Sequence, residues 1–78
     1  MCPLSSAREG EELSVMRVSL DQHVARRLGE MGLVKGASVR LVSRDESSVV
    51  VSVGGSRLAL GGQMARCIWV SPCAHRRP

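Results

Sequence analysis

Apolar and polar residues alternate in several short runs of this chain, and such alternation is typical of half-buried β-strands. In the first run, residues 13–18, Leu13 and Val15 are expected to point inward. Valine, which favours strands because its β-carbon is branched, is the commonest apolar residue, with 11 copies. The pattern therefore predicts five short strands, over residues 13–18, 39–44, 49–53, 57–60 and 68–70.

One segment has a helical period instead. Ser19 is followed three positions later by Gln22, which is the spacing of a capping box, so Ser19 is expected to be the N-cap of the helix. Gly32 is expected to end it by taking a left-handed conformation. Four apolar residues recur in between at spacings that place them on one helix face: Leu20, Val24, Leu28 and Met31.

Glycines mark the predicted turns. Gly36 follows the helix exit, and the pair Gly54 and Gly55 is typical of a tight hairpin, since both positions accept positive φ. With Gly32, these are the predicted structural turn residues. A small sheet leaves open edges unless it curls into a barrel. We therefore predict a mainly β fold, a small, partly open five-stranded SH3-like β-barrel with one α-helix inserted after the first strand.

The chain of 78 residues is long enough for one small domain. Residues 11–71 are predicted to form it, while the turn-forming residues at 1–10 predict a lead-in and residues 72–78 a flexible tail. No apolar run approaches the roughly 20 residues of a membrane span, and no signal-peptide pattern begins the chain. We expect a cytoplasmic location.

The chain is basic, with 11 lysine and arginine residues against 7 acidic ones and a net charge of +4. This balance permits an acidic protein, a nucleic acid or a membrane surface as partner. A stripe of Arg40, Arg44 and Arg57 across neighbouring strands would suit phosphates. Trp69 is the only aromatic residue, however, so the stacking platform of most such barrels is missing. A nucleic-acid-binding module is therefore a second alternative.

Catalytic motifs are missing from the sequence. There is no phosphate-binding loop ending in Gly-Lys-Ser or Gly-Lys-Thr, no paired-histidine metal motif and no Gly-x-Ser-x-Gly elbow. The carboxylates of Glu9, Glu11 and Glu12 read as a solvated stretch. We expect neither an enzyme nor a small-molecule substrate.

A metal site is a further alternative. Cys67, Cys73 and His75, with Cys2 from the other end of the chain, offer thiolates and an imidazole that suit Zn²⁺ or Fe²⁺. Their spacing is not that of a zinc knuckle, so the expectation is no cofactor. A metal-binding protein or chaperone would retain Fe²⁺ or Zn²⁺ and lose it when Cys67 and Cys73 become serine.

Residues 26–39 read Arg-Arg-Leu-Gly-Glu-Met-Gly-Leu-Val-Lys-Gly-Ala-Ser-Val. This run resembles the signature of the ferrous iron transport protein A family, in which a helix ends in a similar motif before a glycine turn and a strand. Residues 56–60, with Ala65 and residues 68–70, look like the closing pattern of that family. The resemblance covers roughly residues 4–71.

The resemblance implies an SH3-like barrel with an added helix and an accessory role in bacterial ferrous iron uptake. Its implied partner is the cytosolic GTP-binding domain of the membrane permease, protein B, which the chain would regulate or scaffold. The chain would be peripheral to the membrane only through this partner. The helix and its exit are the expected partner surface, through Arg26, Arg27, Leu28, Met31 and Leu33.

Overall fold

The computed structural model describes residues 1–72. Within these residues, six strands and two helices follow one another, with a 3-10 turn at Leu4–Ser6. The elements are β1 (Cys2–Pro3), β2 (Glu12–Val18), α1 (Gln22–Glu30), β3 (Ser38–Arg44), β4 (Ser48–Val53), β5 (Ser56–Gly61), α2 (Gly62–Ala65) and β6 (Ile68–Pro72). The predicted mainly β fold with an inserted helix is confirmed. The five predicted strands are β2 to β6, and β1 is additional.

All six strands pair antiparallel in the order β1-β6-β2-β3-β4-β5. Register shifts between Val15 and Arg17 in β2 and between Leu41 and Ser43 in β3 mark irregularities of the β-bulge type. Bulges increase local bend and twist. Within residues 1–72, β1 and β5 do not pair with each other, so the sheet is not closed, which agrees with the predicted partly open barrel.

The core is entirely apolar among the described residues. Alternation along the strands produces it, since Val49, Val51 and Val53 of β4 are buried while the alternate residues of the strand, Ser48, Val50 and Ser52, are partly exposed. The largest fully buried side chains are Leu4, Leu13, Leu33, Leu41, Ile68, Val15, Val51 and Val70.

The first ten residues pack against the sheet and contribute one short strand to it, although their turn-forming character predicts a lead-in. Cys2–Pro3 pairs with β6, and Leu4 is 0% exposed. Arg44 holds the segment from the other side. Its Nη1 donates to the carbonyl oxygen of Ser5 at 2.8 Å, and its backbone N–H donates to Glu9 Oε2 at 3.0 Å. The N-terminal segment is therefore anchored at both of its ends. The predicted tail lies outside the described residues except for Pro72, which ends β6.

Helix α1 begins two residues later than the capping-box pattern predicts. Asp21 is its N-cap, and the carboxylate accepts a hydrogen bond from the backbone N–H of His23 at 3.1 Å. The backbone N–H of Ser19 donates instead to the carbonyl oxygen of Cys67 at 2.8 Å. Ser19 thus continues the pairing of β2 with the β6 side, which leaves Asp21 to cap the helix.

The helix ends where predicted. Gly32 has a φ of +97°, and the backbone N–H of Leu33 donates back to the carbonyl oxygen of Leu28 at 2.9 Å. Gly36, Gly54 and Gly55 also have positive φ. This reversal turns Leu33 into the core while Val34 stays on the surface.

The turn between β3 and β4 is built on Asp45. Its carboxylate accepts hydrogen bonds from the backbone N–H groups of Ser47 and Ser48, at 2.9 Å each. These two bonds, of which the one from Ser47 has the larger effect, hold the pKa of Asp45 below its ordinary value of 3.8.

We expect the turn to weaken in acid, because a group with a lowered folded-state pKa stabilises the fold above its unfolded pKa and loses that contribution as pH falls through the folded value. The urea midpoint of Asp45→Ala should lie below that of the wild type at about pH 6, and the gap should narrow below pH 3.8. Asp45→Asn, which keeps an acceptor oxygen without the charge, is the control. A gap between wild type and Asp45→Ala that stays constant into acid would contradict this assignment.

Candidate partner-binding site

The helix face that carries the resemblance is partly core and partly surface. Leu28 and Leu33 are 4% and 1% exposed, so they position the helix and offer little surface of their own. Met31 and Val34 are 50% and 47% exposed. A large apolar side chain that is half exposed at a helix end is a candidate for partner contact.

A cleft of about 260 Å³ separates α1 from β5, and we call it the helix–β5 cleft. It brings together three of the five predicted partner residues, Arg27, Leu28 and Met31. Its complete lining is Val24, Arg27, Leu28, Met31, Leu58, Ala59, Leu60, Gly61 and Met64. The lining is apolar apart from the arginine and contains no acidic side chain.

The cleft lies against an open sheet edge. Among the described residues β5 pairs with β4 alone, so the other side of this strand has no strand neighbour. It runs for six residues without proline or lysine, which are common protections of an edge strand. An extended segment from another chain can add to such an edge through main-chain hydrogen bonds.

Met31 stands between this cleft and a second hollow of about 300 Å³. The second hollow is lined by Glu30, Met31, Val53, Ser56, Arg57 and Leu58. Arg27 therefore lines the cleft on one side of Met31, and Arg57 lines the hollow on its other side. The surface around Met31 is an apolar spot with more positive than negative charge at its rim.

The other two predicted residues lie elsewhere. Arg26 lines a hollow with Gln22, His23 and Ala25, on a different side of α1. Leu33 lines a groove formed with β2. The structure thus divides the five predicted residues among three surfaces.

The residues that the structure describes do not form a metal site. Residues 1–72 contain no group of three or more histidine, cysteine, aspartate or glutamate side chains arranged to hold a metal ion. The Sγ of Cys67 donates to the carbonyl oxygen of Gln63 at 3.5 Å. Cys2 is a partly buried free thiol, and Cys73 and His75 lie outside the described residues.

The predicted arginine stripe is shorter than expected. Arg40 and Arg57 are both cross-strand partners of Ser52, so they share one face of the sheet. Arg44 is bonded to the N-terminal segment instead. Glu12 is the cross-strand partner of Arg40 in β2, which places a carboxylate in the same row. The row is therefore of mixed charge rather than a continuous cationic track.

The sequence did not indicate Val24, Leu58 and Met64 as site residues, although all three line the helix–β5 cleft. Each is apolar, and the pattern placed Val24 on the apolar face of the helix and Leu58 on the inner face of its strand. Local alternation tells which side of a strand faces inward, but it does not tell which strand ends at the sheet edge. The helical period of Val24 with Leu28 and Met31 was the one signal available.

Comparisons with known proteins agree on one family. The family model described as "FeoA domain" matches residues 2–72. A Methanocaldococcus jannaschii protein named "Putative Fe(2+) transport protein A" is 33% identical over 70 residues, which cover 90% of this chain and 85% of that protein.

Two solved structures are similar over most of their lengths. The crystal structure of an iron uptake regulatory protein, FeoA, has a TM-score of 0.79 and 29% identity, covering 87% of this chain and 92% of the other. The solution structure of the FeoA protein from Chlorobium tepidum has a TM-score of 0.82 and 28% identity, covering 97% of this chain and 80% of the other. In the described part of this chain, no helix has the length and apolar character needed to cross a membrane.

Proposed function

Because the chain belongs to the FeoA domain family, we propose that it is an accessory protein of ferrous iron transport that acts by binding the cytosolic GTP-binding domain of the iron permease. The family match over residues 2–72 supports the transport role. The observation that supports this binding site is the position of Met31, which is half exposed between two hollows beside the open edge of β5.

In this proposal the partner supplies an apolar segment that enters the helix–β5 cleft. Met31 is the anchor, since a thioether side chain adapts to irregular apolar surfaces. Arg27 lines the cleft and Arg57 the neighbouring hollow, so acidic groups of the partner would lie beside them. The chain contributes binding and orientation, and the hydrolysis of GTP belongs to the partner.

The adjacent arginines of α1 provide a matched test. Arg27→Glu reverses a charge that lines the helix–β5 cleft, whereas Arg26→Glu makes the same change on another side of the helix. We expect Arg27→Glu to weaken binding to the isolated GTP-binding domain about tenfold, a cost of ~1.4 kcal/mol, while Arg26→Glu stays close to wild type. Met31→Glu should weaken binding further. Calorimetric titration at physiological salt measures all three.

If Arg27→Glu and Arg26→Glu weaken binding equally, the helix–β5 cleft is not the binding site. Circular dichroism checks that the variants are folded, which we expect because the altered side chains are exposed or half exposed. The rate of GTP hydrolysis, followed in the same titration, separates two roles. A changed rate identifies a regulator of the GTPase, and an unchanged rate identifies a scaffold.

A further inference from the structure

A second apolar groove lies between β2 and the exit of α1, and we call it the β2–helix groove. Its volume is about 680 Å³. Four large apolar side chains are exposed in the part of the chain that the structure describes, and three of them, Met1, Met16 and Val34, line this groove. Its complete lining is Met1, Met16, Arg17, Val18, Ala25, Leu33, Val34 and Lys35.

The groove contains a second open strand edge. Strand β3 pairs with β2 only over residues 12–14, and Val15 is then bonded to the loop before β3. Its backbone N–H donates to the carbonyl oxygen of Ala37 at 2.9 Å, and its carbonyl oxygen accepts from Gly36 at 2.7 Å. Beyond this point residues 16–18 have β6 as their sole strand neighbour within residues 1–72. The register shift between Val15 and Arg17 lies at the same place.

The charged side chains that line the β2–helix groove are all positive. Arg17 and Lys35 line it, both side chains are exposed, and the lining contains no carboxylate. Apolar walls with cations at the rim complement a segment in which apolar and acidic residues alternate, because successive side chains of an extended chain point to opposite faces.

We propose that the β2–helix groove binds a short extended acidic segment of a partner protein, which adds as a strand beside residues 16–18. Its apolar side chains pack on Met16 and Val34, and its carboxylates lie beside Arg17 and Lys35. A concave groove with a strand edge fits a chain segment rather than the flat surface of a bilayer. The site is distinct from the helix–β5 cleft, so one molecule can hold two segments at once and bridge them.

A designed peptide tests this without the permease. The probe is a capped eight-residue peptide of alternating valine and glutamate, titrated into the ¹⁵N-labelled full chain, and the control probe has lysine in place of glutamate. We expect the glutamate peptide to shift the amide resonances of residues 16–18 and 33–35, and the lysine peptide to leave them unchanged.

Charge reversal sharpens the test. The double variant Arg17→Glu with Lys35→Glu should weaken binding of the glutamate peptide at least about tenfold and create binding of the lysine peptide. The double variant Arg8→Glu with Arg66→Glu makes the same change in net charge outside the groove and should bind as wild type does. Met31→Glu should also leave peptide binding unchanged, which separates this site from the proposed permease site.

Four outcomes would overturn the proposal. They are no shifts in the groove, shifts confined to the helix–β5 cleft, equal binding of the glutamate and lysine peptides, and peptide binding that the groove variant does not alter. Vesicles of phosphatidylglycerol that shift the groove resonances when the peptide does not would identify a lipid surface as the occupant, and would overturn the peptide proposal as well.

Discussion

Replacing Leu4 with alanine is expected to lower the free energy of unfolding by about 2–5 kcal/mol, the usual cost of truncating a fully buried leucine. Leu4 is 0% exposed and belongs to the single apolar core, although it is only the fourth residue of the chain. A domain of this size has a total stability of roughly 4–12 kcal/mol. The variant is therefore expected to lose a large part of it.

Urea denaturation followed by the fluorescence of Trp69 measures the loss, because Pro3 of β1 is a cross-strand partner of that tryptophan. Met16→Ala is the control, since it also truncates a large apolar side chain but one that is 40% exposed. A loss below about 1 kcal/mol for Leu4→Ala would mean that the N-terminal segment does not fold cooperatively with the sheet.

Gly32→Ala is expected to cost about 2 kcal/mol or more. The φ of Gly32 is +97°, and a side chain in the left-handed region costs roughly 1–2 kcal/mol. The added Cβ would also lie 3.1 Å from Cγ1 of Val53, which is buried in the core and has little room to move. The two costs act together because they arise at the same atom.

Gly29→Ala is the matched control three residues earlier. Gly29 lies within α1 and is not among the glycines with positive φ, and alanine is about 1 kcal/mol better than glycine in a helix. The added Cβ would lie 3.2 Å from Cγ1 of Val34, which is half exposed and can shift. We expect a neutral or higher urea midpoint for Gly29→Ala. Equal losses in both variants would show that the conformation of Gly32 is not the cause.

Most of the fold follows from local patterns. Alternation located β2 to β6, and the helical period located α1, because each of these signals comes from residues close together in the chain. The pattern did not predict strand β1, because Cys2–Pro3 is too short to show a period and forms a strand only through its pairing with β6. The start of α1 also depended on a distant partner, because Ser19 is bonded to Cys67.

The candidate site was less predictable than the fold. The motif indicated Arg27 and Met31, which do line the helix–β5 cleft. It also indicated Arg26, which faces another side because successive helix residues are rotated by about 100°. Leu33 became a core residue because Gly32 reverses the chain before it. The open edge of β5, which gives the cleft one of its walls, results from the order of the strands and leaves no local trace in the sequence.

The position of β6 in the sheet has a consequence for the timing of folding. Both β1 and β2 pair with it, although among residues 1–72 it is the strand synthesised last. Closing so long a stretch of chain is a slow step compared with forming the local hairpins of β3, β4 and β5. During translation, the hairpins can form first. The N-terminal segment cannot pair with β6, and Leu4 stays exposed to solvent, until residue 72 has left the ribosome.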